Sequence, residues 1–126
     1  MPLKRLLFLF GGRLNRKPYV LWTFSLGLVS AAMSILQEAV LQLPAVASLA
    51  LLLLMMLCLI VVTWSSLALA VKRLHDLNWS AWMVLGFFVP IINIALAFYL
   101  WFARGTRGFN RFGDDPLGNK PDKPIL

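Results

Sequence analysis

The chain is poor in the residue types from which catalytic and metal sites are built. It has five acidic residues, one histidine and one cysteine among 126 residues. A single cysteine, Cys58, excludes an intramolecular disulfide. The single histidine, His75, lacks the second and third groups that a metal site or a catalytic triad requires. We therefore expect no enzyme activity, no cofactor and no bound metal.

Charge is absent from three long apolar stretches. Residues 19–36, 45–71 and 79–103 contain no Asp, Glu, Lys, Arg or His. A helix of about 20 apolar residues crosses the roughly 30 Å hydrocarbon core of a bilayer. A soluble domain of this length has no interior that would bury three such stretches. The sequence therefore predicts an all-α fold, a polytopic membrane helical bundle with three transmembrane stretches.

The third stretch allows two folds because Pro90 lies near its middle. As one kinked helix, its 25 residues would reach roughly 37 Å and cross the membrane. Broken at Pro90, each half is too short to cross, and the stretch would form a re-entrant hairpin. The hairpin would place all 12 Lys and Arg residues on one side, as the positive-inside rule favours. On length we expect three spans, and the re-entrant hairpin is the alternative.

The distribution of basic residues predicts the orientation. The formal net charge is +7, and residues 1–17 carry five Lys or Arg, whereas the connector of residues 37–44 carries none. The positive-inside rule therefore places the N-terminus in the cytoplasm. We predict one membrane domain over residues 1–126. Its parts are a basic cytoplasmic arm (residues 1–17), a transmembrane bundle (residues 18–103) and an irregular polar tail (residues 104–126).

Three polar motifs flank the apolar stretches. They read GRLNRKPYVLW at residues 12–22, KRLHDLNWSAWMVL at residues 72–85 and GFNRFGDDP at residues 108–116. In this order they resemble the family called domain of unknown function 805 (DUF805), whose members are small bacterial inner-membrane proteins. The resemblance covers almost the whole chain and implies a multi-pass protein of the bacterial inner membrane. It implies no particular activity, because the family has none assigned.

The polar residues beside the predicted spans allow two interpretations. In the first, Asp76 pairs with Arg13 or Arg16 and clips the first span to the second. In the second, basic residues bind an anionic lipid headgroup or another phosphate, because the planar Arg side chain matches phosphate oxygens. The residues of this second site are Arg13, Arg16, Lys17, Lys72, Arg73 and His75. A third possibility is that these charges only direct insertion.

The interior of the stretches points to helix packing rather than to transport. Its polar residues are Ser, Thr and Asn, and Gly27 and Ala31 have the spacing of small residues at helix interfaces. Proton and ion pathways normally carry intramembrane acidic or basic residues. We predict an accessory or regulatory subunit that packs on a partner membrane protein or on its own copies. It would contact anionic membrane lipids and no nucleic acid. The alternative is a small transport or channel component acting as an oligomer, and an enzyme acting on lipid headgroups is a third reading.

Overall fold

The structure is a computed structural model that describes residues 2–118. Within these residues the chain is helical and has no β-strand, which confirms the predicted all-α membrane helical bundle. Four α-helices and one 3-10 helix follow each other along this described part of the chain. They are α1 (Leu3–Phe8), α2 (Arg16–Val40), α3 (Ala45–Asp76), the 3-10 helix (Ala81–Phe88) and α4 (Pro90–Phe102).

Helices α2 and α3 form a long antiparallel hairpin. The 25 residues of α2 and the 32 residues of α3 correspond to about 37 and 48 Å of helix. Both helices are long and apolar enough to cross a membrane. A short connector at residues 41–44 joins them. At about 48 Å, α3 is longer than the roughly 30 Å hydrocarbon core of a bilayer is thick.

The third apolar stretch is broken at Pro90. Val89 is extended, with φ −102° and ψ 121°, and Pro90 begins α4, where its missing N–H costs no hydrogen bond. The 13 residues of α4 give about 20 Å of helix, which is too short to span. Both ends of the stretch lie at the end of α3, since the Trp79 N–H bonds Leu74 O at 2.8 Å and Arg73 Nε bonds Leu100 O at 2.9 Å. The structure therefore corrects our expectation of a third continuous span, because the stretch forms two short helices broken at Pro90, as the hairpin alternative requires.

The buried core lies at one end of the long hairpin. It surrounds the last turns of α3, where α1, the start of α2 and α4 all pack. Leu69, Leu74 and Leu100 are fully buried there. By contrast, only 6% of the most apolar 18-residue window of α2 is buried, and none of that of α3. The chain thus has a compact end and a pair of helices that project from it.

Candidate functional site

Asp76, the last residue of α3, lies at the centre of a buried group of polar side chains. Its residue is 3% exposed, and each carboxylate oxygen has an arginine partner. Arg13 Nη2 and Nε lie 2.9 and 3.1 Å from Oδ1, and Arg73 Nη1 lies 2.5 Å from Oδ2. A buried carboxylate needs such partners to remain charged. We name Arg13, Lys72, Arg73, His75 and Asp76 the polar cluster.

Arg13 ties the segment after α4 to the end of α3. Besides Asp76, its guanidinium donates to Thr106 O at 2.5 Å, Gly108 O at 2.6 Å and Gly113 O at 3.2 Å. The planar group with its five N–H donors suits such divergent acceptors. One arginine of the N-terminal segment therefore organises an irregular segment about 95 residues later in the chain.

Two arginines bind the C-terminus of α4. Arg73 donates through Nε to Leu100 O at 2.9 Å and through Nη2 to Ala103 O, and Arg16 Nη1 donates to Phe102 O at 3.1 Å. The last carbonyls of a helix receive no hydrogen bond from an N–H of the same helix, and they lie at the negative end of the helix dipole. The two cations therefore stabilise the point where α4 ends.

Lys72 binds the C-terminus of α1 through hydrogen bonds to backbone carbonyls. Its ammonium is fully buried and donates to Arg5 O at 2.6 Å and to Leu6 O, both near the C-terminus of α1. Nearby, the Trp64 indole N–H bonds Phe8 O at 3.1 Å, so α1 lies along α3 between Trp64 and Lys72. The adjacent residues Lys72 and Arg73 thus hold two different short helices against α3.

His75 connects the N-terminal segment to the motif at residues 108–116. Its Nδ1 lies 3.0 Å from Gly12 O, which can only accept, so Nδ1 carries the proton. The imidazole stacks on Phe112 with ring centroids 4.0 Å apart, and the His75 carbonyl accepts from Asn110 Nδ2 at 2.9 Å. The predicted polar tail is irregular through Gly118, but it is packed against α3. Its remainder, residues 119–126, lies outside the described residues.

Position 105 requires glycine, because the backbone there passes too close to the Asp76 carboxylate for any side chain. A Cβ at this position would lie 2.0 Å from Asp76 Oδ2 and 2.6 Å from its Cγ. The next residue bonds the same helix end, since the Thr106 N–H lies 2.7 Å from Asp76 O. Only glycine lets the backbone pass this close to the carboxylate.

The structure separates the residues that the sequence grouped together. Arg13, Lys72 and Arg73 are 5, 0 and 0% exposed, and their donors bond protein groups. Arg16 and Lys17 are exposed at the start of α2, and Arg16 bonds α4 rather than Asp76. Arg73, one turn before Asp76, is the partner that the sequence analysis overlooked, although the i,i+3 spacing was there to suggest it.

A pocket of about 360 Å³ opens beside the polar cluster, between the start of α2 and the segment after α4. We name it the basic pocket. It is lined by Asn15, Arg16, Asp76, Arg104, Gly105, Thr106, Arg107, Asp115 and Leu117. Both carboxylates on its wall are engaged: Asp76 by Arg13 and Arg73, and Asp115 by the N–H groups of Gly108 and Leu117. Among residues 2–118, no three His, Cys, Asp or Glu side chains are grouped to hold a metal ion.

These features define a small integral membrane protein. Two apolar helices of membrane length project from a compact end that a charged cluster holds together.

The chain belongs to the DUF805 family: the profile described as "Protein of unknown function (DUF805)" matches residues 7–114. This confirms the resemblance read from the three motifs. Two curated relatives come from Escherichia coli strain K12. "Inner membrane protein YhaI" is 36% identical over 108 residues, which is 85% of each chain. "Inner membrane protein YhaH" is 43% identical over 49 residues, 39% of this chain and 40% of its own. No solved structure matches. The protein is thus an inner-membrane protein of a family without an assigned function.

Proposed function

We propose that this protein is a non-catalytic accessory or regulatory protein that associates with the membrane helices of a partner protein or of further copies of itself. The observation that supports this most is the exposure of α2 and α3. In their most apolar 18-residue windows only 6% and 0% of the residues are buried. A pair of helices that shares so little core offers nearly all of its apolar surface to other groups in the membrane.

One strip of that surface is suited to another helix. Gly27 and Ala31 lie one turn apart on α2, and Ala31 is exposed. A Cβ built on Gly27 would meet nothing within 4 Å, so this strip takes no part in the packing of the chain itself. Small residues at this spacing let two helix backbones approach closely, which is how many membrane helices associate.

The same proposal includes the orientation and a contact with lipid. All Lys and Arg residues between residues 2 and 118 lie at the end of the polar cluster, and the connector at residues 41–44 has none. By the positive-inside rule this end, with the N-terminus, faces the cytoplasm, while α2 and α3 cross the membrane. The exposed Arg16 and Lys17 would then contact anionic headgroups, whereas the buried Arg13, Lys72 and Arg73 serve the fold.

Transport by an oligomer is the weaker candidate. A crevice of about 380 Å³ between α2 and α3 carries hydroxyls of Thr23, Ser30, Thr63 and Ser66 on its wall. Each of these hydroxyls donates to a carbonyl one turn earlier in its own helix. No described residue on the crevice wall is acidic or basic. The crevice therefore offers little to a proton or an ion.

In-cell photocrosslinking tests the accessory function. A photoreactive residue replaces Ala31 on the small-residue strip, and a matched variant carries it at Val29, which is exposed on a nearly opposite face of α2. We expect a discrete protein adduct from position 31, which mass spectrometry identifies as a partner or as a second copy. A much weaker adduct is expected from position 29. Adducts with lipid alone at both positions would contradict the proposal.

A further inference from the structure

We infer that the basic pocket binds the phosphate group of an anionic phospholipid, whose acyl chain lies in an apolar groove between α2 and α4. This inference rests on the proposed contact with anionic lipid and names its site. The pocket has a volume of about 360 Å³ and lies where α2 begins and α4 ends. This is the headgroup level if α2 crosses the membrane.

The charge on the pocket wall favours an anion. Three arginines line it, at positions 16, 104 and 107, against two carboxylates. Both carboxylates already have partners within the chain, Asp76 in two ion pairs and Asp115 in two backbone hydrogen bonds. Arg13 and Arg73 do not line the pocket, but their ion pairs with Asp76 offset the charge of that carboxylate. Arginine forks match phosphate oxygens in pairs, which an isolated lysine does not.

The start of α2 adds to this preference. Asn15 precedes the helix without a side-chain hydrogen bond to it, and the first turn contains no acidic residue. Instead, Arg16 and Lys17 place two positive charges at the positive end of the helix dipole, where anions are favoured. Asn15 and Arg16 line the pocket, so an anion bound there would offset both the helix dipole and these side chains.

An apolar groove next to the pocket favours a lipid over free phosphate. A groove of about 420 Å³ between α2 and α4 is lined by Thr23, Ala97, Phe98 and Trp101. Arg16 and Thr23 are seven residues apart on α2, so they share one face about 10 Å apart along the axis. The same pair of helices therefore presents a basic pocket at its end and an apolar groove two turns further in. A phospholipid has the same order of groups.

Lipid retention by the full-length protein tests the inference. The protein is purified in mild detergent and exchanged with phosphatidylglycerol or with phosphatidylcholine of the same acyl chains, and retained lipid is counted by native mass spectrometry. We expect Arg16→Gln/Arg104→Gln to weaken phosphatidylglycerol retention about tenfold or more, because each cation near an anionic lipid contributes. The control is Lys4→Gln/Arg5→Gln, which removes the same charge from exposed side chains of α1 and should change retention little. Equal losses in both double variants would overturn the inference, because binding would then follow net charge alone.

Two single substitutions, Arg104→Gln and Ala97→Phe, separate a loss of lipid binding from unfolding and from the binding of free phosphate. The single variant Arg104→Gln keeps the hydrogen bond from Arg16 to Phe102 O, and so we expect it to fold. Reduced phosphatidylglycerol retention in this variant supports the pocket even if the double variant unfolds. Ala97→Phe fills the groove and should weaken phosphatidylglycerol retention without changing the binding of inorganic phosphate. If inorganic phosphate binds to the pocket while neither the arginine substitutions nor Ala97→Phe lowers lipid retention, free phosphate is the ligand and the lipid assignment is wrong. Failure here leaves the photocrosslinks from position 31 unaffected, so the accessory function is judged separately.

Discussion

The two halves of α3 differ both in their surroundings and in their charge, because Lys72, Arg73, His75 and Asp76 all lie in the second half. From Ala45 to Trp64 the helix is apolar and, among its residues, only Ser48 is buried, whereas every residue from Ala68 to Leu77 is buried. The exposed half matches the roughly 30 Å hydrocarbon core of a bilayer in length. The buried half lies where α1, α4 and the segment after α4 converge. The comparison indicates that the polar cluster and the buried core around it determine the shape of the described chain, because the rest of α3 contributes almost nothing to that core.

The largest expected effect comes from removing the centre of the polar cluster. Asp76→Ala would leave Arg13 and Arg73 buried without their carboxylate, and breaking a buried ion pair costs about 3–5 kcal/mol. We expect a fall in the free energy of unfolding near that range, measured by SDS titration from mild detergent. Asp114→Ala, at an exposed position of the neighbouring turn, is the control. Equal effects of the two substitutions would show that the cluster is not the main support of the fold.

Two leucines on α3, one buried and one exposed, test the difference between the two halves of this helix without changing any charged residue. Leu74 is fully buried and Leu54 is 57% exposed. Truncating a buried leucine costs about 2–5 kcal/mol, through lost contacts and the cavity that remains. Leu74→Ala should therefore destabilise the protein by about 3 kcal/mol, and Leu54→Ala by much less in the same titration. A large effect at position 54 would mean that the projecting part of α3 has a protein neighbour, such as a second copy.

Gly105→Ala should have the next largest effect. The added methyl group would lie 2.0 Å from Asp76 Oδ2, so either the backbone or the carboxylate must shift. Overpacking of this kind typically costs about 1–3 kcal/mol. Gly11→Ala is the matched control, since a Cβ there would meet nothing within 4 Å. A lower unfolding midpoint for position 105 alone is the expected result, and unchanged midpoints for both would refute the close approach.

Lys72→Met should have the smallest and most local effect. The substitution removes the donor to Arg5 O and Leu6 O but keeps most of the aliphatic side chain. Losing hydrogen bonds to a charged donor costs about 1.5–3 kcal/mol, and relief from burying the ammonium offsets part of it. Hydrogen exchange should accelerate at residues 3–8 while α2 and α3 remain protected. Lys17→Met, at an exposed position, should leave α1 unchanged.

Much of the fold could be predicted because the membrane imposes a simple rule. Uncharged stretches of sufficient length at residues 19–36 and 45–71 became the membrane-length parts of α2 and α3. The fold at Pro90 was open, because the length of the stretch favoured a third span whereas the distribution of Lys and Arg favoured a hairpin. The break depends on tertiary contacts that hold both ends of the stretch near Arg73. A sequence pattern does not contain those contacts.

The candidate site was predictable in its residues but only partly in its contacts. Asp76 and Arg13 were named from their positions beside the spans, and they lie 2.9 Å apart. The bonds from Lys72 and Arg73 to the ends of α1 and α4 were not foreseen, because backbone carbonyls are acceptors that no sequence motif marks. Gly105 gave no signal either, since its importance comes from one distance to a residue 29 positions earlier.

The contacts of Arg13 have a consequence for how the chain is made. A growing chain emerges from its N-terminus, so α2 and α3 are complete before the segment after α4 is made. Arg13, however, finds its carboxylate 63 residues later and its carbonyl acceptors 93 to 100 residues later. Contacts of such large sequence separation slow folding, because a long loop must be closed before they form. The acceptors at Thr106, Gly108 and Gly113 are made only after α2 and α3, so Arg13 completes its set of contacts when the last of the three motifs has been synthesised.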